Sequence, residues 1–224
     1  MFVMSIACGN SFILKPSEKD PTVPYMMGDI LKEAGLPDGV FNVVNGDKEA
    51  VDLLITDPKV ESVSFVGSTP VAEYIYHTSS KHNKRVQSLG GAKNHMIVMP
   101  DADLDQVVDG LIGAGYGSAG ERCMALSVAV AVGDVGDKLI KKLTPRVQSL
   151  KVGPGTDPEV EMGPLISKQH LDKVTSFVDR GVQEGADLLV DGRSISLQGY
   201  ENGYFIGGCL FDNVQENMSI YKEE

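Results

Sequence analysis

One cysteine stands in a stretch of small residues that could make it a nucleophile. Cys123 follows Arg122 directly, within the glycine- and alanine-containing run 117–127. The run fits the end of a helical pattern that begins near Leu104, and the apolar residues 128–132 after it predict a buried strand. A thiol held between a helix and a buried strand, one residue from a guanidinium, is a candidate for nucleophilic catalysis. The alternative is that Cys123 packs as a small hydrophobic residue, as free cysteines often do.

Arg122 has two uses that fit the same turn. Its planar set of donors could favour the thiolate form of Cys123 or hold a substrate carboxylate. It could equally tie down the turn itself. The three cysteines lack metal-ligand spacing and the four histidines are scattered, so we expect no metal site, no disulfide framework and a reducing compartment.

The spacing of apolar residues predicts an α/β protein. Strands are predicted at 11–14, 40–44, 60–66, 85–89, 95–99, 127–132, 186–190 and 204–211. Helices are predicted at 22–34, 48–55, 70–77, 104–115, 135–150 and 168–184. Strands that alternate with helices form parallel sheets, which bind ligands at the carboxyl ends of their strands. The segments 15–18, 67–69 and 89–91 are therefore candidate binding segments, and the boundary between the two halves falls near 92–100.

Two of these strand ends carry side chains that could meet a nucleotide. Ser68 opens a helix, where free N–H groups favour a phosphate, although it could serve only as the N-cap. Lys15 and Glu18 could hydrogen-bond ribose hydroxyls, or could form a solvated surface pair of little energetic value. Neither segment has the spacing of the usual glycine-rich dinucleotide fingerprint.

The bulk composition excludes two classes of partner. The chain has 224 residues and a formal net charge of −11, with no basic stripe that could neutralise phosphates, so we expect no nucleic-acid binding. No apolar run is long enough to span a bilayer, so we expect no membrane segment. The apolar residues 1–6 lack a basic region before them and do not resemble a signal peptide.

Several of these segments together resemble the aldehyde dehydrogenase superfamily. The matching segments are 8–18, 64–68, 89–94, 117–127 and 162–166, with Glu224 at the end, in the expected order. Within the superfamily, 91–95, 122–127, 199–203 and 221–224 look most like the methylmalonate-semialdehyde dehydrogenases. The resemblance implies a Rossmann-type parallel sheet, an incomplete cofactor domain at 1–94, followed by part of an α/β catalytic domain at 95–224.

The resemblance also assigns roles. Cys123 would be the nucleophile and Arg122 would bind the substrate carboxylate. The NAD-binding positions would be Lys15, Glu18, Lys19, Ser68, Gly90 and Glu224. The first three would lie at the adenosine ribose, Ser68 at the pyrophosphate, Gly90 beside the nicotinamide and Glu224 at its ribose.

Leu89 is where this chain departs from hydrolytic members of the superfamily. Those members carry a glutamate there that activates water, and leucine cannot accept a proton. The resemblance then implies that coenzyme A takes the acyl group, giving propionyl-CoA or acetyl-CoA from a methylmalonate or malonate semialdehyde with loss of CO2. A hydrolytic enzyme with water activated elsewhere is the first alternative. The second is an inactive truncated chain that at most binds nucleotide or a partner subunit.

The resemblance further implies the setting of the protein. The family's oxyanion-hole asparagine would precede Met1, so we expect the chain to be an internal fragment without turnover of its own. The full-length enzyme would be a homotetramer with a small semialdehyde substrate. It would lie in the mitochondrial matrix in a eukaryote and in the cytoplasm otherwise.

Overall fold

A computed structural model describes residues 1–223, and the chain divides into two compact units, Met1–Gly91 and Ala92–Glu224. The helices are α1 (Phe2–Ala7), α2 (Thr22–Glu33), α3 (Lys48–Thr56), α4 (Thr69–Lys81), α5 (Leu104–Gly115), α6 (Val135–Gln148), α7 (Lys168–Gln183) and α8 (Ser219–Lys222). The strands are β1 (Phe12–Leu14), β2 (Phe41–Val43), β3 (Ser62–Val66), β4 (Arg85–Leu89), β5 (Asn94–Val98), β6 (Leu126–Ala131), β7 (Asp187–Val190) and β8 (Leu210–Asp212). That these units are a cofactor domain and a catalytic domain stays a prediction.

The first unit contains two parallel strand pairs. β1 pairs with β2, and β3 pairs with β4 with Val66 opposite Leu89. The carboxyl ends of β3 and β4 therefore lie side by side, and the Gly67 N–H donates to the Leu89 carbonyl at 3.1 Å. The predicted parallel pairing is confirmed. Within residues 1–223 these strands form separate two-stranded sheets. The sequence pattern predicts the strands, but it does not predict how many of them join in one sheet.

The second unit is built around a β5–α5–β6 segment. β5 and β6 pair in parallel, and α5 and α6 contribute most of the buried core beside them. The core residues are Val98, Val108, Leu111, Ile112, Val135, Leu139, Leu143, Val147 and Val190. Asp103 caps α5 by accepting the Asp105 N–H at 3.0 Å. This core holds α5, which leads into the turn that carries Cys123, and the pairing of β6 with β5 holds the strand that follows the turn.

The structure corrects the sequence prediction at three places. The strand predicted at 204–211 is confined to β8, because the backbone of Gly207 packs on Gly192 and donates to its carbonyl at 2.8 Å. Two short helices, α1 and α8, were not predicted. Both are too short to show a helical period, and their contacts come from distant parts of their own units.

Candidate active site

Cys123 lies in a turn with a strained backbone, which we call the thiol turn and define as residues 117–125. It begins with a short 3-10 turn, Gly117–Gly120, directly after α5. Ser118, Ala119 and Gly120 have φ values of 52°, 53° and 73°, which lie in the left-handed region. That conformation costs about 1–2 kcal/mol for each residue with a Cβ. The turn therefore needs contacts that hold it closed.

Asn94 supplies one of these contacts from the start of β5. Its side-chain amide donates to the Cys123 carbonyl at 3.1 Å and to the Ala125 carbonyl at 3.0 Å. The Cys123 side chain itself is exposed. Cys209, in contrast, is partly buried, and burial raises the pKa of its thiol. The thiol turn thus presents Cys123 to solvent, whereas Cys209 is protected.

Arg122 makes its hydrogen bonds within the turn region. Its Nε donates to the Ser118 hydroxyl at 3.2 Å and its Nη1 donates to the Gly113 carbonyl at 3.4 Å. A Cβ at Gly117 would lie 3.0 Å from Nη1, so glycine leaves room for the guanidinium. These contacts match the structural role that the sequence left open for Arg122. Its grip on a substrate carboxylate remains a prediction.

Glu121 and His170 form a pair that sequence reasoning missed. Glu121 Oε1 lies 2.9 Å from His170 Nε2, and each side chain is about a third exposed, at 32% and 34%. Burial raises the pKa of Glu121, while His170 and a backbone hydrogen bond from Ile166 oppose that rise. The two residues are 49 positions apart, so no local spacing could have revealed the pair. A carboxylate within a glycine-rich turn was the only available signal.

The β3–β4 end places two predicted nucleotide-binding residues together. Ser68 is exposed at the N-cap of α4, and its side chain makes no capping hydrogen bond. The Thr69 hydroxyl accepts the Gly91 N–H at 3.0 Å. A Cβ at Gly90 would lie only 2.8 Å from Thr69 Oγ1 and 3.1 Å from its Cα, so glycine is required for this approach. Ser68 therefore occupies the N-cap position without using its hydroxyl as a cap, which leaves that hydroxyl available to a ligand.

Lys15 and Glu18 lie together after β1. Their charged groups are 3.6 Å apart, and Lys15 Nζ also donates to the Gly46 carbonyl at 2.9 Å. Lys15 is therefore partly occupied in joining β1 to the segment after β2. Lys19 is exposed, and its backbone N–H donates to the Ser17 hydroxyl at 3.2 Å. Their contacts with a ribose remain predictions.

The segment before Glu224 is held within the second unit. Lys93 Nζ donates to the Ile220 and Glu223 carbonyls, each at 2.7 Å. His95 Nε2 lies 3.1 Å from the Tyr221 hydroxyl. Glu224 itself lies outside the described residues. Lys93 and His95 nevertheless fix the chain that leads to it, close in sequence to Asn94 and its contact with the thiol turn.

The last residue of β4 is a leucine and not a carboxylate. This residue, Leu89, is 50% exposed. An exposed leucine at this strand end offers no proton acceptor. This strand end therefore presents an accessible apolar side chain where a proton acceptor could have stood.

Comparison with known proteins identifies the family from the whole chain. The model of the aldehyde dehydrogenase family matches residues 1–224. This chain belongs to the aldehyde dehydrogenase family. The malonate-semialdehyde dehydrogenase of Pseudomonas aeruginosa is 59% identical over 225 residues, which cover all of this chain and 45% of that protein. The α/β fold expected for this family is confirmed.

Solved structures give the same assignment. A structure from Sinorhizobium meliloti 1021, named as a methylmalonate-semialdehyde dehydrogenase complexed with NAD, has a TM-score of 0.97 at 60% identity. A methylmalonate-semialdehyde dehydrogenase structure from Oceanimonas doudoroffii has a TM-score of 0.96 at 59% identity. Both comparisons cover all of this chain and 46% of the other chain. The chain thus spans slightly less than half the length of the relatives that it matches.

The relatives bear on the expected setting as well. Those named above are bacterial, so the expectation of a mitochondrial matrix location has no support. None of the helices within residues 1–223 is both long and apolar enough to cross a membrane.

Proposed function

We propose that this chain supplies the nucleophile and the nucleotide-binding strand ends of an NAD-dependent dehydrogenase for malonate or methylmalonate semialdehyde. The observation that carries the proposal is the exposed thiol of Cys123 in a turn held by Asn94 and Arg122. The relatives named for these substrates support the substrate class, since they are about 60% identical to this chain.

The β3–β4 end fits a dinucleotide. The N-terminus of α4 offers backbone N–H groups and a positive partial charge, and the Ser68 hydroxyl is not used as a cap. Gly90 brings bare backbone to the same strand end. Ser68 would therefore meet the pyrophosphate, with Gly90 beside the nicotinamide and Lys15, Glu18 and Lys19 at the adenosine ribose. When bound, NAD supplies the hydride acceptor for the oxidation.

Cys123 would act first by adding to the aldehyde. Its thiolate forms a carbon–sulfur bond with the carbonyl carbon, and the carbonyl oxygen becomes an oxyanion. After oxidation at that carbon, an acyl thioester remains on Cys123. Arg122 would bind the carboxylate of the semialdehyde through its guanidinium, which offers more donors than its two hydrogen bonds in the turn region use. Loss of CO2 from a malonyl or methylmalonyl group then leaves an acetyl or propionyl thioester.

Leu89 favours coenzyme A over water as the acyl acceptor. Attack by water needs a general base, and Leu89 supplies none at the position where hydrolytic relatives carry glutamate. A thiol of coenzyme A is a better nucleophile than water at neutral pH and yields a new thioester as Cys123 leaves. The acyl group would therefore pass from one thiol to another.

A chimeric enzyme tests the proposal. Residues 1–224 would replace the matching segment of the Pseudomonas aeruginosa enzyme, and NADH formation from malonate semialdehyde would be followed by absorbance. We expect sustained turnover only with coenzyme A, and no more than one NADH per active site without it. The variant Cys123→Ala, checked for folding by circular dichroism, should be inactive.

Each remaining outcome has a meaning. Sustained NADH formation without coenzyme A would support the hydrolytic alternative and refute acyl transfer to a thiol. Turnover by Cys123→Ala would refute the assignment of the nucleophile. The 224-residue chain by itself, measured in parallel by NAD titration and turnover, is expected to show no turnover.

A further inference from the structure

The thiol turn is connected to α7 through one ion pair. Glu121 lies two residues before Cys123, and its carboxylate is 2.9 Å from the His170 imidazole. His170 lies in the first turn of α7, where its N–H donates to the Ser167 hydroxyl at 3.2 Å. α7 has 16 residues and is fixed by buried Val178 and Gly181. His170 thus offers a rigid anchor for the turn.

Two features of the turn oppose its closed form. Ser118 and Ala119 hold left-handed backbone conformations. The Glu121 carboxylate also loses solvation, since burial raises its pKa above the ordinary value. Opening the turn would relieve both costs. A positive charge on His170 opposes opening by attracting the carboxylate.

Other charges near the pair are already engaged. On the turn, Arg122 donates to Ser118 and Gly113. On α7, Lys168 pairs with Asp172 at 2.6 Å. Lys173 and Arg180 lie over the Phe177 ring. Among the described residues, His170 is the charged side chain that acts on the Glu121 carboxylate, together with the Ile166 backbone.

We propose that His170 is a positioning residue that closes the thiol turn by holding the Glu121 carboxylate. Loss of the imidazole leaves the desolvation of Glu121 uncompensated, so the turn opens more often. The proposal rests on the proposed function only in taking Cys123 as the reactive thiol.

Hydrogen exchange of the 224-residue chain tests the positioning directly. Exchange of peptides covering 116–126 would be measured by mass spectrometry and corrected for intrinsic rates. We expect opening to be about 2- to 5-fold more frequent in His170→Leu than in the native chain, the range that a partly exposed charge pair supports. His170→Lys retains a cation at this position and should keep the turn closed.

Two further variants separate this effect from general destabilisation. Lys168→Met removes an exposed ion pair on the same helix and should leave the turn unchanged. In a Glu121→Gln background, His170→Leu should have no effect on the turn, because no charge remains to be compensated. Peptides from α6 serve as the internal reference for global unfolding.

The proposal is refuted if His170→Lys and His170→Leu exchange alike in the turn, or if His170→Leu acts equally in the Glu121→Gln background. In the chimeric enzyme, His170→Leu should lower kcat about 2- to 5-fold at unchanged KM, with rescue by His170→Lys. A chimera without turnover would contradict the proposed function, whereas the exchange result would still decide the role of His170.

Discussion

At the scale of single residues, surroundings distinguish chemically identical groups. Burial raises the pKa of the Cys209 thiol, whereas Cys123 is exposed in a strained turn. The sequence distinguishes Cys123 by its place beside Arg122, but packing stays an alternative explanation until the family resemblance favours a nucleophile. Leu89 depends on the resemblance alone, because an exposed leucine is unremarkable unless its position corresponds to the glutamate of hydrolytic members.

Restoring the carboxylate at Leu89 should change the acyl acceptor. In the chimeric enzyme, Leu89→Glu should allow NADH formation to continue without coenzyme A, because a general base typically contributes about 100- to 10,000-fold to water attack. Leu89→Gln has the same size without a basic oxygen and should stay dependent on coenzyme A. Equal behaviour of the two variants would show that this position does not control water.

Glu121 should make the stability of the second unit dependent on pH. Its pKa is raised in the folded chain, so its favourable contribution is complete below the ordinary pKa of a glutamate and is lost as the pH rises through the folded value. Glu121→Gln should therefore gain stability relative to the native chain as the pH rises above the ordinary pKa of a glutamate, about 4. The gain should be under about 1 kcal/mol, since solvent screens this partly exposed group.

Urea unfolding of both proteins at several pH values would measure this difference. Glu159→Gln is a suitable control, because Glu159 is 76% exposed and pairs with Lys151 on the surface. A Glu121→Gln variant that loses stability relative to the native chain as the pH rises would contradict the assigned direction.

At the scale of helices and strands, local patterns predicted most of the fold. α5, α6 and α7 bury residues at helical spacing, and Asp103 and Ser167 act as caps. The two short helices that the patterns do not predict, α1 and α8, depend on distant contacts. α8 is held by Glu184, which accepts the Ser219 N–H at 2.6 Å from 35 residues away. α1 is held where the Phe2 ring meets the Phe41 ring at 5.2 Å.

The candidate site also combines residues placed by local patterns with residues brought together by distant contacts. Ser68, Gly90 and Cys123 follow recognisable elements, so their positions could be predicted from the sequence. The contacts of Asn94 with the Cys123 carbonyl and of Glu121 with His170 join residues 29 and 49 positions apart. No periodic pattern contains such pairings, because they are created by tertiary packing.

Two glycines should respond oppositely to alanine. At Gly90 a Cβ would meet Thr69, including its backbone, so Gly90→Ala should destabilise the first unit by about 1–3 kcal/mol and weaken NAD binding. At Gly113, within α5, no atom lies near the added Cβ, so Gly113→Ala should stabilise the second unit by about 0.5–1 kcal/mol. Thermal unfolding would measure both changes in stability, and NAD titration would measure the change in binding for Gly90→Ala. A destabilised Gly113→Ala would contradict the open space beside this glycine.

At the scale of the whole molecule, the chain exposes more surface than its size requires. Its accessible area is 14178 Å2. Two separate compact domains of the sizes of its two units would expose only about 12,000 Å2 together by the usual scaling of area with mass. The excess includes large apolar residues on strands, among them Ile97 and Val130, which are 67% and 40% exposed, and Met99 directly after β5, which is 50% exposed. Apolar strand surface of this kind promotes association.

A substitution at Ile97 tests whether the exposed strand surface promotes self-association. Ile97→Lys should reduce self-association, seen as concentration-dependent light scattering at pH 7, at least 2-fold while changing the stability of the unit by no more than about 0.5 kcal/mol. Val98, its neighbour on β5, is only 1% exposed in the core, so Val98→Lys should unfold the second unit because it buries an unpaired charge. Unchanged scattering by Ile97→Lys would mean that association proceeds through another surface. The two variants add the same charge one residue apart, so any difference between them reports which face of β5 is covered in this chain.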